Sequence, residues 1–372
     1  MTTAKIAYHS LSINNLGHSE IEITAEISPE NLGHFKASAL KKFGEKTKLD
    51  GFRPGHIPKK VLVDRIGEQV ILEEAAQLAL ADVYPAIVKD KKLDVIGRPE
   101  VTITKLADGN PLCFKIKTAV LPTFELPDYK ASAQEILSKK EVLEVSPKEI
   151  DDIILDIRKT RAQNAEKQNQ EEHGASTPPI LDTAGNSILT KAQEGEKKDL
   201  PDLTDEEAKT FGDFKSISDF RKHIKGNLIK EKEVRAKEKK RVEIGEALIK
   251  KINIELPNVL IESELHKMFS QFKDDITRMG LDYQEYLKKI DKTEEKLREE
   301  WREVAGKKAK LQLILNKIAE AESIIPDSKE IERQVAHLLE HYKNADPDRA
   351  RIYIETLLTN EKVFEFLERQ KN

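Results

Sequence analysis

The 372 residues include a single cysteine, Cys113. That excludes a disulfide framework and a thiolate metal cage, and it fits a reducing compartment. Aromatic residues are scarce at 5%, so the cores are expected to be thin and much of the surface solvated. No apolar run approaches the length that spans a bilayer, so no membrane partner is expected. Met1-Thr2-Thr3-Ala4-Lys5 leads into polar alternation without the apolar stretch of a leader. A cytoplasmic protein is expected. The net charge of −4 is small, so bulk attraction to nucleic acid does not organise the molecule, and any such contact must be local. The chain has no phosphate-cradling glycine loop, no paired cysteines and no His-Glu-x-x-His. His34, His56, His173, His223, His266, His337 and His341 are scattered. His337 and His341 lie one helical turn apart, yet with no third ligand in view neither a metal site nor a cofactor is expected. Carboxylates are everywhere, which gives no ground for choosing a general acid and base. No catalytic residue is expected.

What is present is charge and helical periodicity. With 38% hydrophobic and 35% charged residues, the chain reads as a soluble, mainly helical protein of two or three domains. Residues 1–130 read as an α+β domain. Ile21–Ile27 alternates strictly, as a half-buried strand does. Ser28-Pro29 then supplies an N-cap and a first-turn proline for a helix carrying Leu32, Phe35, Ala39 and Phe43 on one face. A second helix is expected from about Glu68 to Lys91, kinked at Pro85. Val101–Thr104 and Leu112–Leu121 read as closing strands.

Beyond Pro127 almost everything reads as helix. Ser146-Pro147-Lys148-Glu149 has capping-box spacing and opens a helix whose apolar pattern decays by Gln163–Glu172. Residues 173–200 read as a flexible linker, so 131–200 form a joining segment and 201–372 an elongated all-α domain. Thr204–Glu207 is a further capping box. A charged helix follows from Ser216 to about Asn253, and another carries Ile261 to Met279 with Gly280 at its end. Asp282 and Asp327 cap two more, and the tail from Asp348 to Arg369 is helical as well.

Two stretches invite a functional reading. Gly51-Phe52-Arg53-Pro54-Gly55-His56-Ile57-Pro58 places an aromatic and an arginine between glycines. It is either a docking tip, with Phe52 as anchor and Arg53 as a bidentate donor, or a tight turn whose Phe folds back onto a helix. Met268, Phe269, Phe272, Met279, Tyr283 and Tyr286 recur at helical spacing. They are core, or part of them lines an open cleft, since Met and aromatic side chains adapt to varied partners. The run Lys237, Lys239, Lys240, Arg241 reads as a solvated helix face in preference to a nucleic-acid patch.

The loop resembles the ribosome-docking signature of the trigger factor family, Gly-Phe-Arg-x-Gly-x-x-Pro, in a strand–helix–loop–helix setting. Pro257–Leu265, Met279–Leu287 and Lys296–Ile325 are similar to the family's helical C-terminal domain. The resemblance implies docking through Gly51, Phe52, Arg53, Gly55 and Pro58, with Lys59 adding charge. The partners would be an exit-site protein of the large ribosomal subunit and adjacent rRNA. Pro54 stands where the family often has a basic residue.

Family members usually carry a prolyl isomerase domain of the FK506-binding-protein type in the middle of the chain. Here only roughly thirty residues separate the two resembling parts, below the ~40 under which a domain seldom folds unaided. None of residues 173–200 is aromatic. A trigger factor-like, ATP-independent chaperone without isomerase activity is therefore expected, shielding nascent polypeptides on shallow apolar surfaces. Client contacts are expected at Met268, Phe269, Phe272, Met279, Tyr283 and Tyr286. A prolyl isomerase, or a helical adaptor binding one folded partner, is the alternative. A homodimer off the ribosome stays open.

Overall fold

The computed structural model describes residues 8–49, 52–53, 56–139, 144–172, 205–210 and 212–370, with side chains for all of these except 161–172, 207, 208 and 210. The chain divides into two compact units, one of Met1–Ser132 with Gly245–Gln370 and one containing Ala133–Ile244.

The first unit opens with strands β1 (Tyr8–Gly17) and β2 (Glu20–Ile27). Their two-residue turn holds His18 and Ser19 at φ 48° and 55°, the primed geometry whose twist matches a hairpin. Helix α1 (Pro29–Lys46) follows, its N-cap Ser28 accepting from the Asn31 N–H at 3.3 Å. Next come α2 (Lys59–Ile66), α3 (Glu68–Asp90), β3 (Val95–Lys105) and β4 (Leu112–Val120). The four strands form one antiparallel sheet in the order β1-β2-β4-β3. In β2 the inward residues Ile23, Ala25 and Ile27 are fully buried, opposite Ile116, Phe114 and Leu112 of β4. The outward face of the same pair carries Glu22–Lys115 and Glu20–Lys117 ion pairs. Helix α3 presents Ile71, Ala75, Ala76, Ala79, Val83 and Ile87 to this core. Pro85 sits inside α3 without ending it.

Two elements here escape the periodicity. Strand β1 is mostly exposed, with only Tyr8 and Leu11 packed partly against the core; as an edge strand it has too little buried face to print an alternation. Helix α2 has eight residues, one of them buried, and no side-chain cap. Strand β3 also runs well beyond the expected Val101–Thr104, because its outer residues meet solvent.

After β4, residues 121–128 lead into α4 (Tyr129–Leu137), a helix within the general helical expectation beyond Pro127 but not given bounds there. Asp128 starts it by accepting from the Ala131 N–H at 2.9 Å. Within the second unit lie α5 (Pro147–Glu172), α6 (Asp205–Thr210) and most of α7 (Ile217–Lys251). The expected capping box is present: Glu149 accepts from the Ser146 N–H at 2.8 Å, and the Glu149 N–H donates to Ser146 Oγ at 3.3 Å. Helix α5 persists to Glu172, past the decay of its apolar pattern, through mostly strong helix formers (Ala, Gln, Glu, Lys and Arg) with Asn164 and Asn169 among them. Ile150, Ile154, Phe220 and Ile224 close a small core between α5 and α7. Lys232 ties to Glu149 at 2.6 Å and Arg221 to Asp151 at 2.5 Å.

The first unit resumes with the end of α7, where Leu248 is buried and Gly245 faces Leu311. Helices α8 (Asn258–Arg278), α9 (Tyr283–Lys289), α10 (Glu294–Ala321), α11 (Ser328–His341) and α12 (Pro347–Glu368) follow. Gly280, at φ 73°, ends α8 as expected: the Leu281 N–H reaches back to the Ile276 carbonyl at 3.2 Å. Asp282 and Asp327 cap α9 and α11 through their side chains. Helices α10 and α12 exchange a reciprocal amide pair, Gln312 with Asn360.

Candidate functional site

Between α1 and α2 two backbone hydrogen bonds involve the described residues of the connection. The Phe52 N–H donates to the Leu49 carbonyl at 3.1 Å, and the His56 N–H to the Arg53 carbonyl at 3.0 Å. Leu49 and Phe52 form a small antiparallel bridge. Phe52 is 39% exposed and outside the buried core. Arg53 is exposed beside it, as are Lys46, Lys48, Lys59 and Lys60. Pro58 is the N-cap residue of α2, and its carbonyl accepts from the Leu62 N–H at 3.0 Å. Leu62 is buried and lies over Gly44 of α1, which anchors α2 next to the tip. Gly51, Pro54 and Gly55 lie outside the described residues, as do Thr204 of the second capping box and the segment 173–200.

The aromatic stripe forms a second feature where α8, α9 and α10 meet. Phe272 stands edge-on to Tyr283, Tyr286 and Trp301 at centroid distances of 6.1, 5.8 and 5.2 Å. Such edge-to-face pairs are favourable. Phe269 lies 4.7 Å from Trp301 and is buried; its side chain is part of the packing. Met268 packs against the same cluster, half-buried. Met279 does not join it: it sits 71% exposed at the end of α8. Burial, then the charge of Glu294, pushes the Tyr283 hydroxyl pKa up. Glu262 fastens α8 to α10 by accepting from Arg298 at 2.7 Å and Arg302 at 2.8 Å. The Arg302 hydrogen bond chiefly holds its carboxyl below the ordinary range.

Sequence reasoning singled out neither Trp301, which lies at the centre of the cluster, nor several exposed apolar side chains. Ile325, Ile352, Tyr353 and Leu357 are all about half exposed or more. Trp301 as the chain's single tryptophan was a usable signal. The others were not separable from core positions without knowing which helix face is covered.

Among the described residues no group of three or more His, Cys, Asp or Glu is placed to hold a metal ion. No helix there is long and apolar enough to cross a membrane. Exposed Phe52, Arg53 and lysines thus lie on the α+β part, and half-buried aromatic residues on the helical part.

Residues 9–157 match the family model for bacterial trigger factor protein, and residues 216–371 match the model for its C-terminus. The chain belongs to the trigger factor family of ribosome-associated chaperones. It is 26% identical to the trigger factor of Caldicellulosiruptor bescii, over 89% of this chain and 87% of that one. It is also 26% identical to that of Halothermothrix orenii, over 91% of each. A solved trigger factor chaperone, described for promiscuous substrate recognition in folding and assembly, shares the fold. That match has a TM-score of 0.53 and 18% identity, and it covers 96% of this chain and 99% of the other.

Proposed function

We propose that this chaperone docks on the large ribosomal subunit through the tip between α1 and α2, and shields emerging polypeptides on the half-open surfaces of its helices. The observation that supports the docking is the exposure of Phe52 and Arg53 amid exposed lysines. Phe52 supplies an anchor for a protein pocket. Arg53, Lys59 and Lys60 supply donors to phosphate, so binding weakens as salt rises. For clients, Met268, Phe272, Tyr283, Tyr286 and Met279 offer adaptable apolar area, and Phe269 supports it from below. Contacts of this kind are shallow and are released as the client buries its own apolar surface, without nucleotide. The protein acts in the cytoplasm.

The chain also lacks isomerase activity on this reading. Residues 173–200 contain no aromatic residue to line a proline pocket. A protease-coupled isomerisation assay is expected to give the uncatalysed rate, and acceleration of a test peptide overturns this part. Docking is tested with a photoreactive residue in place of Phe52 in cell extract. Adducts to large-subunit components are expected; adducts to one soluble protein alone, with none to the ribosome, favour an adaptor instead.

A further inference from the structure

Near the C-terminal end of α11, His337 and His341 stand on the same exposed face with ring centroids 4.8 Å apart and planes at 70°. We propose that these two imidazoles form a solvent-open site for one late divalent transition cation, of the zinc, nickel or copper class. A ring nitrogen holds such a cation at about 2.1 Å, which puts each ring centre about 3.2 Å from it. Two rings meeting the ion at about 90–110° then have centres about 4.5–5.2 Å apart. The observed separation falls inside that range, so the backbone already holds the two rings at chelating distance. Among the described residues neither ring has a hydrogen bond or ion pair to give up. Rotation about the soft terminal torsion turns one nitrogen of each toward a common point.

The helix end favours a cation, against the opposing charge of Arg278 beside Tyr342. The pair lies in the last turns of α11, where the helix dipole and unpaired carbonyls present negative potential. That end is fixed: the Tyr342 N–H closes the final turn on the Leu338 carbonyl at 2.9 Å, and Arg278 of α8 donates to the Tyr342 hydroxyl at 2.5 Å. With two protein ligands the remaining positions belong to water. The site is therefore weaker than a closed structural one, and it ranks metals in the order copper, nickel, zinc of decreasing imidazole affinity. Occupancy bridges one turn of the helix and stabilises it by an amount that grows with the logarithm of metal concentration over the dissociation constant.

Calorimetric titration of the full chain with nickel chloride tests this, alongside His337→Gln, His341→Gln and a His266→Gln control. One nickel per wild-type chain is expected. Affinity should fall at least tenfold in either α11 variant and stay unchanged in the control, with circular dichroism the same in all four and no binding of magnesium. Wild-type protein that binds no nickel, or α11 variants that bind it as well as wild type, overturns the assignment.

Discussion

In the sheet domain, Ile23, Ala25, Ile27, Leu112, Phe114 and Ile116 are all closed off from solvent, sealed by α1 and α3. Where α8, α9 and α10 meet, Leu265, Phe269, Leu287, Leu297 and Ala305 are buried, while Met268, Phe272, Tyr283, Tyr286 and Trp301 stay partly open. The contrast follows from composition. β-branched and small aliphatic side chains alternating along strands seal a sheet against helices. Large aromatic and thioether groups leave irregular edges that can re-pack. On the proposed function, the first region is the mount for a short tip and the second is the adaptable surface.

The comparison breaks most sharply at Phe114. Phe114→Ala, in a fully buried site, is expected to cost about 3–5 kcal/mol by chemical denaturation. A cost near that of a surface change would mean the sheet core is not closed. Gly97 comes next. It holds φ 75°, and a Cβ there would meet Val259 Cγ2 at 2.8 Å. Gly97→Ala should therefore destabilise by about 1–3 kcal/mol, read as a lowered melting temperature. Phe272→Ala removes a half-open ring, and about 1–2 kcal/mol is expected. Its larger effect is functional: suppression of aggregation of a denatured client should fall while the sheet domain keeps its protection from hydrogen exchange. If Phe272→Ala cost as much as Phe114→Ala and left client holding intact, the two regions would not differ as described.

The smallest effect concerns the second unit. Lys232, then the Ser146 N–H and hydroxyl, hold the Glu149 carboxyl at about 2 against an ordinary 4.5. A pKa depressed in the folded state means its contribution is present above about 4.5 and is lost as pH falls towards about 2. Acid titration followed by hydrogen exchange in α5 should show this loosening in wild type and not in Glu149→Gln. The pair is exposed, so the change is modest.

Most helices could be read from the chain because their caps are local chemistry. Ser28, Ser146, Ser216, Asp282 and Asp327 all accept from a backbone N–H in the following turn. Strands β2 and β4 were readable because one face is buried and the other ion-paired. Strand β1 was not, since a mostly exposed edge strand follows its partner's register and carries little pattern of its own. The tip was recognisable by residue type, but that alone left the exposure of Phe52 open. Among the aromatic residues, periodicity found the stripe. It had no means of separating buried Phe269 from exposed Met279, because α9 and α10 decide which positions are covered.

The central claim, that a stiff domain presents Phe52 and Arg53 to the ribosome, is tested most directly by co-sedimentation with purified large subunits. The comparison is wild type against the Phe52→Ala, Arg53→Ala double variant. Both side chains are exposed, so the variant should keep its stability to within about 0.5 kcal/mol and yet stay in the supernatant while wild type pellets. A folded variant that pellets as well as wild type would contradict the account.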